Sequence, residues 1–156
     1  MRAVWENANE TVQDAMDIAY LTGQRPGDVV KLNRSDIKDG SLWVTQGKTG
    51  KRLLIAIEGE LQATIERIQA RPRQATGLSL IQDDKGQRLT YFALRSRFDV
   101  ARLAAGVSFQ FRDIRAKSAT DTENLAHAQK LLGHKTRAMT EHYTRNRKGK
   151  KVNPLR

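Results

Sequence analysis

The chain has 156 residues, no cysteine, 38% hydrophobic residues and a mean hydropathy of −0.63. That length suits one compact domain with a core. The composition excludes disulfides and thiolate metal sites, no apolar run is long enough for a membrane helix, and the N-terminus lacks a signal peptide's charged start and apolar stretch. Lys and Arg number 28 against 17 Asp and Glu, for a net charge of +11 and a pI near 10.3, which points to a polyanionic partner.

The charge is uneven. The first twenty residues set Arg2 against Glu6, Glu10, Asp14 and Asp17, whereas Arg145, Arg147, Lys148, Lys150, Lys151 and Arg156 follow Tyr143 with no acid among them. This basic tail, 146–156, lacks the apolar face of an interfacial helix, so nucleic acid is favoured over anionic membrane.

In chain order, Val12, Ala15, Met16, Ala19 and Tyr20 recur at helical spacing. Thr11 with Asp14 is the expected cap pair and Gly23 the expected stop. Pro26 to Leu32 reads as a short helix opened by proline. Ser41–Thr45 and Arg52–Ile57 are β-prone runs joined by the basic, glycine-flanked turn 46–51. Glu58–Ala70 is a predicted helix, Leu78–Gln82 a candidate third strand, and Asp83 to Gly86 a turn. Thr90–Ala105 is a helix capped by Thr90 and stopped by Gly106. Three short helices follow, over Arg112–Thr120, Glu123–Leu132 and Arg137–Tyr143. The expected class is α+β, mostly helical, with one small three-stranded antiparallel sheet.

Several residues carry potential chemistry. Arg25 is pinned between a helix stop and a helix start, so rigid flanks aim a planar, permanently charged fork at an oxyanion. Asp28, three residues on, is placed to hold the local turn through backbone or arginine hydrogen bonds. Lys48 sits on the hairpin turn. Gly47-Lys48-Thr49 mimics the end of a phosphate-binding loop, but Leu42 stands where that motif needs glycine, which argues against nucleotide binding. Arg112 and Arg115 fall on neighbouring positions of one helical face, an arrangement that repels unless an anion lies between them. His134 follows a helix-ending glycine. His127, His134 and His142 match no common metal-ligand spacing. Tyr143, a poor nucleophile at the ordinary phenol pKa of about 10, needs surrounding cations to become reactive. Taken singly, most of these residues read as solvated surface charges or packing groups.

Their order is more specific than any one of them. Thr22-Gly23-Gln24-Arg25-Pro26, a hairpin lysine, Arg112-Asp113-Ile114-Arg115, Leu131-Leu132-Gly133-His134 and a tyrosine nine residues later together resemble the catalytic domain of tyrosine recombinases, phage integrases in particular. The likeness runs from Leu21 to Arg145.

The resemblance implies a site-specific recombinase that cleaves and rejoins DNA through a 3′-phosphotyrosyl intermediate. By that likeness Tyr143 is the nucleophile, and Arg25 and Arg115 clamp the non-bridging phosphate oxygens. His134 hydrogen-bonds the same phosphate. Lys48 is the general acid on the leaving 5′-oxygen, with Lys51 the fallback in that turn. The family usually has histidine where Arg112 stands, and arginine cannot act as a base near neutral pH. Arg112 is therefore expected to add to the electrostatic clamp.

The resemblance further implies no cofactor and no metal, double-stranded attachment-site DNA as substrate, and four protomers on two duplexes. Accessory DNA-bending proteins are expected partners, and the cytoplasm of a bacterial host, at the nucleoid, the expected place. Residues 1–156 read as a single catalytic domain, a fragment without the upstream core-binding and arm-binding domains. Two rival readings are a type IB topoisomerase-like activity and a non-catalytic DNA-binding regulator derived from a recombinase.

Overall fold

The structure, a computed structural model, describes residues 1–71, 77–122 and 124–145. The basic tail 146–156 lies outside the described residues. The elements are α1 (Arg2–Glu6), α2 (Glu10–Thr22), α3 (Pro26–Val29), β1 (Ile37–Lys38), β2 (Ser41–Thr45), β3 (Arg52–Ala56), α4 (Gly59–Ala70), α5 (Tyr91–Ala104), α6 (Asp113–Asp121), α7 (Leu125–Leu132) and α8 (Arg137–Arg145). Among the described residues no helix is long and apolar enough to cross a membrane.

Helix α2 is the hub. Its Val12, Ala15, Met16, Ile18 and Ala19 are buried, and it packs against α1, α3, α4, α5 and α6. Burying Val12, Met16 or Ile18 contributes about 1.5–3 kcal/mol each. The α2 cap differs from expectation: the Asn9 side chain accepts the Val12 N–H. Thr11 instead donates to the Gln82 carbonyl at 3.0 Å. Asp14 is buried and receives Arg67 and Arg71 at 3.1 and 2.8 Å. Both residues expected to cap therefore face inward, where tertiary partners hold them. The stop is as expected, with Gly23 left-handed at φ +65°.

The sheet is antiparallel in the order β1-β2-β3. Its third strand is Ile37–Lys38, not Leu78–Gln82, which makes only the isolated bridges Asn33↔Ser79 and Gln82↔Arg88. Asp39-Gly40 explains the difference. Both residues have positive φ, 53° and 68°, and the turn pairs Lys38 with Ser41. Asp-Gly favours such a two-residue hairpin.

The remaining helices close the core. Leu61, Ile65 and Ile68 of α4 and Leu94, Phe98 and Ala101 of α5 are buried. Phe98 meets Phe109 and Phe111 edge-on, at centroid distances of 5.7 and 5.2 Å. A smaller cluster of Ala119, Ala128 and Leu132 ties α6 to α7. Thr90 caps α5 as expected, accepting from Ala93. Helix α3 is shorter than the expected span to Leu32.

Candidate active site

Arg25 lies in extended backbone between the left-handed Gly23 and Pro26, so its direction is set by two rigid neighbours. Its Nη1 is 3.9 Å from Asp28 Oδ2. Although buried, that Nη1 has no hydrogen-bond partner among the described residues. Asp28 Oδ1 accepts the Gly47 backbone N–H at 2.8 Å. One buried carboxylate thus ties the Arg25 segment to the hairpin turn.

That turn is closed by Gln46 N–H to the Lys51 carbonyl at 2.9 Å and Gly50 N–H to the Gln46 carbonyl at 2.8 Å. It presents Lys48 to a cavity of about 910 Å³. The wall also carries Arg25, Arg112 and Arg115. Arg112 is the N-cap of α6 and Arg115 lies one turn in, so both reach the same opening, as their spacing implied. With Lys31, five cationic side chains line this cavity and repel each other, and an anion between them would relieve that repulsion.

Arg115 is 3% exposed. Its Nη1 donates to the Gly23 carbonyl and its Nη2 to the Leu132 carbonyl, the latter at 2.7 Å. Nη2 also lies 3.3 Å from His134 Nε2. A guanidinium only donates, so Nε2 accepts and the ring proton sits on Nδ1. Nδ1 is 3.0 Å from Thr140 Oγ1, on α8. His134 itself is buried behind Arg115 and is not on the cavity wall. Burial, then the charges of Arg115, Arg25 and Lys51, lower its pKa from 6.5 to about 4, so the ring is neutral near pH 7. Lys51 thus contributes its field to the site, while Lys48 is the hairpin lysine on the cavity wall.

Tyr143 is carried on α8, three residues after Thr140; its side chain lies outside the described residues. Lys31 and Tyr91 line the cavity without having been singled out in the sequence, and His142, weighed there only as a metal ligand, lines it too. Lys31 follows Asp28 by three positions, and His142 precedes the tyrosine directly, so spacing offered a signal for both. Tyr91 offered none, because only the packing of α5 brings it there. His127 lines a different cavity, with Glu58, Glu60 and Asp121.

Known proteins share this arrangement of elements. The integrase of Escherichia phage HK022 is 32% identical over 145 residues, covering 85% of this chain and 41% of that protein. The integrase of Escherichia phage lambda is 32% identical over 148 residues, with the same coverage. The chain therefore spans about two fifths of the length of these relatives. Among solved structures, a lambda integrase (75–356) dimer bound to a COC′ core site matches 97% of this chain and 60% of its own. The TM-score there is 0.83 and the identity 28%. The lambda integrase catalytic core matches 86% of this chain and 91% of its own, with a TM-score of 0.76 and 29% identity. The profile of the phage integrase family matches residues 2–150, and with the fold and the cluster of cations this places the chain in the phage integrase family.

Proposed function

We propose that this domain cleaves and rejoins DNA by phosphoryl transfer to Tyr143, as the catalytic part of a site-specific recombinase. The observation that carries this reading is the convergence of Arg25, Lys48, Arg112 and Arg115 on one cavity, in a chain of the phage integrase family. Arg25 Nη1, which pairs with Asp28 at 3.9 Å but has no hydrogen-bond acceptor among the described residues, is a donor that a phosphate oxygen would satisfy.

The step follows from these parts. The Tyr143 oxygen attacks phosphorus, a new P–O bond forms, and the bond to the 5′-oxygen breaks. The phenol proton leaves to a base or to water. Lys48 gives a proton to the departing 5′-oxygen, yielding a 5′-hydroxyl and a 3′-phosphotyrosyl link. Arg25 and Arg115 hold the non-bridging oxygens, where charge builds. His134 orients Arg115 and, through Thr140, the helix that carries Tyr143. Fixed donors aimed at developing charge are each worth roughly 10²–10³ in rate. Reversal with a second 5′-hydroxyl rejoins the strand, and exchange between duplexes uses four protomers. The lambda protein has been seen as a dimer on a core site and as a tetramer on a Holliday junction.

The test is covalent trapping on a nicked duplex whose short 5′ fragment diffuses away. A shifted protein–DNA adduct, absent in Tyr143→Phe, is the expected result. The rival reading, a non-catalytic DNA-binding regulator, is favoured only by Arg112 in the histidine position, and predicts DNA binding with no adduct.

A further inference from the structure

Two glutamines, Gln24 and Gln46, are 1% and 0% exposed, yet neither is on the cavity wall. A buried primary amide is costly unless its groups are partnered. Gln24 Nε2 donates to the Thr22 carbonyl at 2.8 Å and the Leu131 carbonyl at 3.0 Å. Gln46 Nε2 donates to Gln24 Oε1 at 2.8 Å and the Leu132 carbonyl at 3.0 Å. Gln46 Oε1 accepts from Thr49 Oγ1 at 3.0 Å. The amide orientations follow, because carbonyl oxygens only accept.

The segments so joined are the ones that carry the cavity's chemistry. Gln24 immediately precedes Arg25. Gln46 opens the turn of Lys48, and its link to Thr49 braces that turn from within. The Leu132 carbonyl takes hydrogen bonds from both Gln46 and Arg115, and His134 follows two residues later. The contact is close: a Cβ on Gly133 would stand 2.9 Å from the Gln46 amide. On the far side of the turn, Asp28 holds Gly47.

We propose that Gln24 and Gln46 form a positioning clasp that sets the Lys48 ammonium at its working distance from Arg25 and Arg115. This rests on the reading that Lys48 protonates the leaving 5′-oxygen. The clasp acts through the hairpin and touches no reacting atom. Its loss displaces the general acid while leaving the phosphate clamp largely in place, and a displacement of about 1 Å can cost roughly 10²-fold in rate.

The experiment measures single-turnover adduct formation by the whole chain on two nicked duplexes. One carries the ordinary phosphodiester, the other a bridging sulfur at the leaving 5′ position. A thiolate departs without a proton, as the thiol pKa of about 8.5 indicates, so the second substrate bypasses the general acid. Gln46→Met keeps the side chain's length but removes every polar contact. It should slow the ordinary reaction about tenfold or more while DNA affinity stays unchanged. On the sulfur substrate its deficit should largely vanish, as for Lys48→Ala. Thr49→Val, at an exposed position, cuts the inner brace together with the long 3.4 Å contact from the Lys51 N–H and should show the same pattern more weakly, which keeps the test decisive if Gln46→Met unfolds. Equal deficits on both substrates, or none, would overturn the clasp. Wild type without adduct on either substrate would overturn the recombinase reading and the clasp with it.

Discussion

Arg115, on the cavity wall, and His134, buried behind it, hold each other, with Nη2 3.3 Å from Nε2. The pairing makes His134 an acceptor toward a permanent cation, and this fixes both its tautomer and its charge. The pH dependence of stability follows from it. The unfolded imidazole takes a proton below about pH 6.5, whereas the folded one resists down to about 4. The unfolded state therefore binds more protons between those values, and stability falls as pH drops through that window. Urea denaturation at pH 7.5, 6 and 5 should show the loss, and His134→Gln should flatten it down to the range where carboxylates begin to titrate.

The proton of Tyr143 has no obvious destination at position 112, since a guanidinium cannot accept it. The imidazole on the cavity wall belongs to His142, and histidine is the side chain most often used as a general base. His142→Ala should slow adduct formation about tenfold or more, in the range set by general-base catalysis. A rate equal to wild type would mean that the proton goes to water.

Arg112 itself is expected to act as a clamp. Arg112→Ala should slow adduct formation about 10²-fold. Arg112→His is the informative partner: a rate restored toward wild type would show that the position tolerates either a charge or a base. An Ala variant as fast as wild type would remove Arg112 from the machinery.

Gly133 is left-handed, at φ +66°, and pressed against Gln46. Gly133→Ala pays for the unfavourable backbone, about 1–2 kcal/mol, and displaces the Gln46 amide as well. A loss of about 2 kcal/mol or more in chemical denaturation is expected, with slower cleavage.

Asp14 lies almost fully buried between Arg67 and Arg71. Asp14→Ala removes the buried carboxylate shared by Arg67 and Arg71, which keep Asp17 and Glu10 as partners, and should destabilise the domain by about 1–3 kcal/mol. DNA cleavage by the folded fraction should be unchanged, because this cluster joins α2 to α4 away from the cavity.

Much of this molecule was legible before folding. The apolar spacing of Val12, Ala15, Met16 and Ala19 placed the central helix, and Gly23, Thr90 and Gly133 marked element ends, because backbone conformation and capping are local properties. The order of Arg25, Lys48, Arg115, His134 and Tyr143 pointed to the family for a similar reason, since each sits in a short motif of its own. The third strand went to Ile37–Lys38 through the turn Asp39-Gly40, whereas the expected strand was the β-prone run at Leu78. Thr11 and Asp14 resembled caps, yet their partners Gln82, Arg67 and Arg71 lie more than fifty residues away. Gln24 and Gln46 had no reading at all. A glutamine in a loop is ordinarily solvated, and only the meeting of α7's last turn with the hairpin buries these two amides and makes their hydrogen bonds obligatory. The sequence by itself determined which residue types are present and the local geometry that aims them; the tertiary structure decided which of them share a cavity and which hold it in shape, because burial and long-range hydrogen bonding exist only once distant segments pack.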